Sequence, residues 1–62
     1  MTVERIIMNR LIDENTEIYI RSNTFKVLTH GKWYNDNVLR YLDSRVESFS
    51  LKDDNNLYID IK

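Results

Sequence analysis

His30 stands two positions before Lys32 and three before Trp33, and it is the only histidine of the chain. An imidazole can act as a general base or hold a metal, but either role needs a nucleophile, a carboxylate or further ligands at suitable spacing. Nothing near His30 supplies that spacing, so the sequence assigns it to the surface beside a turn. Asp53-Asp54-Asn55-Asn56 offers oxygen atoms of the kind calcium takes. It lacks the central glycine and the distal bidentate glutamate of a calcium loop, and reads instead as a hairpin turn. Asp13, Glu14, Asp36 and Asp43 are scattered carboxylates with no paired spacing for acid/base work. A phosphate-binding loop is excluded because Gly31 is the only glycine. The expectation is a non-enzymatic chain with no catalytic residue, no metal site and no cofactor.

The aromatic residues carry more promise. Tyr19, Trp33, Tyr34, Tyr41 and Tyr58 are too many to bury in so short a chain, and aromatic side chains with a polar tip are enriched where proteins meet partners. Tyr19, Arg21, Trp33, Tyr34 and Tyr58 form the candidate binding surface. Two other readings stand beside it: cross-strand packing of Tyr19 with Tyr58, and a packing lid made by Trp33 and Tyr34. A nucleic-acid platform would use the same aromatics but needs a basic groove. Here Arg21 and Lys26 are offset by Glu47 and Asp60, so nucleic acid is the second choice.

The elements that must position these residues follow from periodicity. Apolar residues at three- and four-residue spacing from Val3 to Ile12, after Thr2 as N-cap, predict a helix. A strand is the rival, weakened by the broken alternation between Ile6 and Met8. Asp13 to Thr16 is polar and should stop the helix. Glu17-Ile18-Tyr19-Ile20-Arg21 alternates and predicts a strand, linked by Ser22-Asn23-Thr24 to a second strand over Phe25 to His30. Gly31 predicts a turn or bulge through positive φ. Asn35 or Asp36 caps a short helix whose Val38, Leu39 and Leu42 share a face. Val46 to Leu51 and Leu57 to Ile61 complete the pattern around the polar turn of residues 52–56.

The expected fold is therefore α+β, a single α-β-β-α-β-β domain over residues 1–62. A four-stranded antiparallel sheet would pack against two helices, with Ile18, Ile20, Val27, Phe49, Leu51, Leu57, Ile59 and Ile61 facing inward. Tyr19 and Tyr58 would point the other way. Sixty-two residues allow one core. The absence of cysteine leaves no disulfide to staple it. Nine Lys and Arg against ten Asp and Glu create no field that selects a partner. With no apolar run of membrane length and no leader-like segment, the expectation is a cytoplasmic protein with no membrane partner.

The Thr2-Val3-Glu4-Arg5-Ile6-Ile7 helix, the Asn15-Thr16-Glu17-Ile18 strand entry, the Gly31-Lys32-Trp33-Tyr34 turn and the Leu39 to Phe49 stretch resemble small uncharacterised phage- and prophage-encoded proteins of Gram-positive bacteria (Firmicutes). The resemblance spans nearly the whole chain and implies a context, a phage accessory protein acting inside a bacterial host cell. No site residue comes with it. The expected function is binding to a host or phage protein, with inhibition of a host defence or replication protein as its sharper form. The alternative is a small nucleic-acid-binding or regulatory protein.

The first helix adds one more expectation. At about 100° per residue its apolar positions cover roughly 240°, wider than the stripe a helix on a sheet normally buries. Val3, Ile7 and Leu11 lie at the centre and should pack inward. Ile6, Met8 and Ile12 form surplus flanks, which a second copy would cover in a homodimer.

Overall fold

The computed structural model describes residues 1–9 and 12–62. The chain runs α1 (Val3–Met8), β1 (Glu17–Arg21), β2 (Val27–Gly31), α2 (Asp36–Leu39), β3 (Val46–Leu51) and β4 (Asn56–Ile61). Element order and α+β class match the sequence reading. No helix among the described residues is long and apolar enough to cross a membrane.

The sheet has the order β2-β1-β4-β3. β1–β2 and β3–β4 are antiparallel, but β1 and β4 are parallel neighbours, with Ile18 beside Leu57 and Ile20 beside Ile59. The sheet is thus mixed, which corrects the expected all-antiparallel arrangement. Hairpin signals specify pairing within each hairpin and are silent on how two hairpins join. The joint is made by the two strands whose alternating apolar residues can be covered by the helices. Ile18, Ile20, Leu57 and Ile59 are fully buried, together with Val3, Ile6 and Val38.

Three expected core residues are not in the core: Val27 is 47% exposed, Phe49 39% and Leu51 41%. Phe49 and Leu51 stand opposite Ile59 and Leu57 and so lie on the helix face, but on an edge strand beyond the reach of two short helices. Val27 is on the outer face for a different reason. The register shifts between Ile20 and Arg21, leaving Leu28 as the extra residue and setting Val27 opposite Arg21.

α1 ends at Met8, shorter than the expected helix to Ile12, and Leu11, expected to pack inward, lies outside the described residues. Ile6 is a core residue rather than a flank, at 1% exposure, while Ile7 and Ile12 are half-buried and Met8 is 74% exposed. With only six helical residues, the sheet contact is made by Val3 and Ile6, spaced at three. Thr2 occupies the N-cap position without a side-chain cap. The orphan amides of Val3 and Glu4 donate instead to the carbonyls of Ser44 and Leu42, at 3.1 and 3.0 Å. α1 is thereby pinned to the chain leaving α2.

Both hairpins close with the same three-residue loop. Phe25 N–H donates to Ser22 O and Ser22 N–H to Lys26 O, at 2.9 and 2.8 Å; Asn55 N–H donates to Lys52 O and Lys52 N–H to Asn56 O, at 3.1 and 2.9 Å. The third loop residue is left-handed in each, with φ of 67° at Phe25 and 65° at Asn55. Phe25 therefore belongs to the loop, not to the second strand. Gly31 does not adopt positive φ. Its need for glycine is steric, because a Cβ there would sit 2.8 Å from Asn35 Oδ1, the atom that accepts the Lys32 N–H.

Candidate functional site

The residues singled out by sequence fall on two separate surfaces. The first is the outer face of the sheet, away from the helices. Cross-strand pairing sets His30, Tyr19, Tyr58 and Ser50 in one row across all four strands. Tyr19 stacks on Tyr58 with centroids 4.9 Å apart and planes inclined by 15°, and on His30 at 5.2 Å and 23°. Those separations equal the spacing between strands, so the rings stand upright with their faces turned to one another.

A second row holds Val27, Arg21, Asp60 and Ser48. The Arg21 guanidinium lies 4.8 Å from the Tyr58 ring and 5.1 Å from the Phe25 ring, and it is bonded to the Asp60 carboxylate. At the near end of the face, Glu17 accepts from Lys32 Nζ at 3.0 Å and lies 2.9 Å from His30 Nδ1. These contacts, His30 first and Lys32 second, hold the Glu17 carboxyl below the ordinary glutamate range.

The second surface is a groove of about 370 Å³ lined by Ile7, Met8, Ile12, Asp13, Glu14 and Trp33. It lies where the end of α1 and the segment after it meet Trp33, in the loop after β2, and includes no residue of the tyrosine row. Trp33 is 44% exposed and packs edge-on against Tyr34, itself 51% exposed, at 5.5 Å between centroids. On its acidic wall Asp13 is held by hydrogen bonds. Asp13 Oδ1 accepts the Asn15 N–H at 2.8 Å and Asn55 Nδ2 at 3.3 Å, and these bonds, the Asn15 amide first, lower its pKa. Thr16, fully buried, completes the knot: its hydroxyl accepts the Asp13 N–H at 3.0 Å and lies 2.8 Å from Asn55 Oδ1.

The candidate set is therefore divided. Tyr19, Arg21 and Tyr58 meet on the outer face as expected, whereas Trp33 and Tyr34 do not join them. Trp33 instead meets Met8 and Ile12, the two residues assigned by sequence to a surplus helix flank, and Ile6 lies beneath them in the core. His30 is exposed near the end of β2, two residues before the turn, as the sequence suggested; what sequence reasoning missed is its stacking against Tyr19, which stands opposite it. The expected pairing of the first two strands held that signal, since antiparallel register sets Tyr19 against His30. It also missed Phe25 as a partner of Arg21, because the loop conformation that brings them together is one bulky residues rarely adopt.

Among the described residues no group of three or more His, Cys, Asp or Glu side chains is placed to hold a metal ion. No family model matches the chain, and no curated protein or solved structure matches it either.

Proposed function

We propose that the chain is a non-enzymatic protein-binding module that uses the groove around Trp33 as its contact surface. One observation carries the reading: Trp33 and Met8 remain exposed while lining a largely apolar groove, with Tyr34 exposed beside Trp33. A tryptophan in a concave apolar setting is the kind of anchor on which protein interfaces concentrate their binding energy. The groove suits an apolar side chain, and the Asp13 and Glu14 carboxylates beside it favour a basic residue next to that side chain. In the phage or prophage setting suggested by resemblance, the partner is a host or phage protein. Inhibition of a host defence or replication protein is the sharper form of the same proposal.

The nucleic-acid alternative has less support. Tyr19 has a ring on each face, so it offers no free face for a base to stack on, and Tyr58 is already stacked by Tyr19 and approached by Arg21 from β1. Arg21 is already paired with Asp60. The outer face is better accounted for as a ladder that stiffens the uncovered side of the sheet.

The test is capture of partners from host lysate by tagged protein, in parallel with Trp33→Ala and with the outer-face variant Tyr58→Leu. A partner retained after nuclease treatment, lost with Trp33→Ala and kept with Tyr58→Leu, supports the groove. Capture that depends on nucleic acid, or that follows Tyr58 rather than Trp33, overturns it.

A further inference from the structure

The two edges of the sheet differ in how they are protected. β2 is bulged at Leu28, and the Asn37 side chain reaches from α2 to donate to His30 O and Thr29 Oγ1, both at 2.7 Å. A bulge and a side-chain cap together blunt an edge. β3 is protected only at its start. Its register shifts at Glu47, Val46 N–H donates to Met1 O at 2.8 Å, and Thr2 bridges Arg45. From Ser48 to Lys52 nothing among the described residues covers the edge.

Within that open stretch the backbone directions are determined. Lys52 N–H donates to Asn56 O, and Ser50 and Ser48 stand opposite Tyr58 and Asp60, so at a period of two these three residues direct their amides and carbonyls to β4. Phe49 and Leu51 direct theirs outward. Their side chains are also the exposed apolar pair on the helix face.

We propose that this edge pairs with the same edge of a second copy, antiparallel about a two-fold axis at Ser50, making one continuous sheet through both protomers. The open stretch is symmetric about Ser50, which is what self-pairing requires. In this register Phe49 faces Leu51 of the second copy and Leu51 faces its Phe49, so outward amides meet outward carbonyls and the exposed apolar side chains cover one another. Lys52 faces Ser48, so no like charges are opposed within the open stretch. Registers centred nearer the N-terminus drive the incoming strand into Met1 and Thr2, and registers centred nearer the turn leave Phe49 without an apolar partner. A foreign strand would have to carry the same alternation by chance. A second copy carries it by construction. The contact is small, so the dimer is weak and concentration-dependent. It shares no residue with the Trp33 groove and stands or falls independently of it.

The experiment uses Ser50→Cys, the only thiol in a chain without cysteine. Opposed Ser50 residues form a non-hydrogen-bonded pair, with Cα atoms about 4.5 Å apart, within disulfide range. Under mild oxidation Ser50→Cys should cross-link several-fold faster than Asn23→Cys, a control on the far hairpin. In light scattering the wild type should gain mass with concentration, and Phe49→Pro, which removes an outward amide and one of the apolar side chains without touching a bond to β4, should stay monomeric while keeping its circular dichroism. Should Phe49→Pro fail to fold, Leu51→Lys on the same exposed row gives the same reading. A wild type that stays monomeric at high micromolar concentration, cross-linking of Ser50→Cys no faster than the control, or a dimer that survives both edge variants and is lost with Met8→Glu overturns the proposal.

Discussion

Arg21 holds Asp60 on the adjacent parallel strand through two hydrogen bonds, Nε to Oδ1 at 2.7 Å and Nη2 to Oδ2 at 3.2 Å. The Asp60 side chain is only 7% exposed, and Ser48 Oγ donates to the same carboxylate at 3.0 Å. Removing the cation would leave that carboxylate buried with one hydroxyl for company. Arg21→Met is therefore expected to cost about 2–4 kcal/mol, near the lower end for breaking a buried pair because Arg21 reaches solvent. In the Arg21→Met background, Asp60→Asn should then restore part of the loss. Urea midpoints of the two single variants and the double variant measure it, and additive losses would show that the pair is not coupled.

The burial pattern makes two apolar residues of similar β-forming character behave differently. Ile59→Ala removes a fully buried side chain at the centre of the sheet and should cost roughly 2–5 kcal/mol, enough to unfold so small a domain. Val27→Ala, on a half-exposed edge site, should cost less than about 1 kcal/mol. Thermal melts of both variants check the contrast; a Val27 variant that melts as early as Ile59→Ala would place Val27 back in the core.

Glu17 makes stability depend on pH with a defined sign. Its folded pKa lies below the ordinary value of 4.5, so its contribution is present above that value and is lost as pH falls through the lower folded value. The difference in melting temperature between wild type and Glu17→Gln should thus be full at neutral pH and close progressively in acid. A difference that persists unchanged at the acid end contradicts the assignment.

The two left-handed loop residues predict opposite responses to one chemistry. Asn55 suits its conformation and ties Thr16 and Asp13, so Asn55→Ala should cost about 1–3 kcal/mol through lost hydrogen bonds and backbone strain. Asn55→Gly, which keeps the backbone conformation at ease, should recover part of that loss. Phe25 is under the same backbone constraint with a bulky side chain. Phe25→Asn should change stability by no more than about 1 kcal/mol, since relief of strain offsets the lost contact with Arg21. Chemical denaturation of the three variants decides between these outcomes.

Much of the architecture was legible because period-two and period-three signals are local. Ile18, Ile20, Leu57, Ile59 and Ile61 lie on the face their alternation assigned, and Tyr19 and Tyr58 lie opposite them. What escaped depended on distant or irregular geometry. The parallel junction of β1 and β4 is set by packing between hairpins, and the bulge at Leu28 inverts Val27 without any sign in composition. Helix length was overread because apolar residues continue past Met8 while the sheet contact needs only Val3 and Ile6. The groove combines residues that sequence had placed in two unrelated groups, since the approach of Trp33 to Met8 and Ile12 is a tertiary event.

That parallel junction also orders events in time. Each hairpin closes over a three-residue loop and can form within microseconds. Arg21 and Asp60, by contrast, are 39 residues apart along the chain, and no part of the β1–β4 pairing can form until that separation is bridged. The joining of the two hairpins is then the expected slow step of folding. Substitutions at Ile20 and Ile59 should lower the folding rate, while those in the β2 edge should mainly speed unfolding. During synthesis the Ile18–Ile20 strand would consequently lack its β4 neighbour until the six residues of β4 have been made, which leaves the first hairpin only marginally stable up to that point.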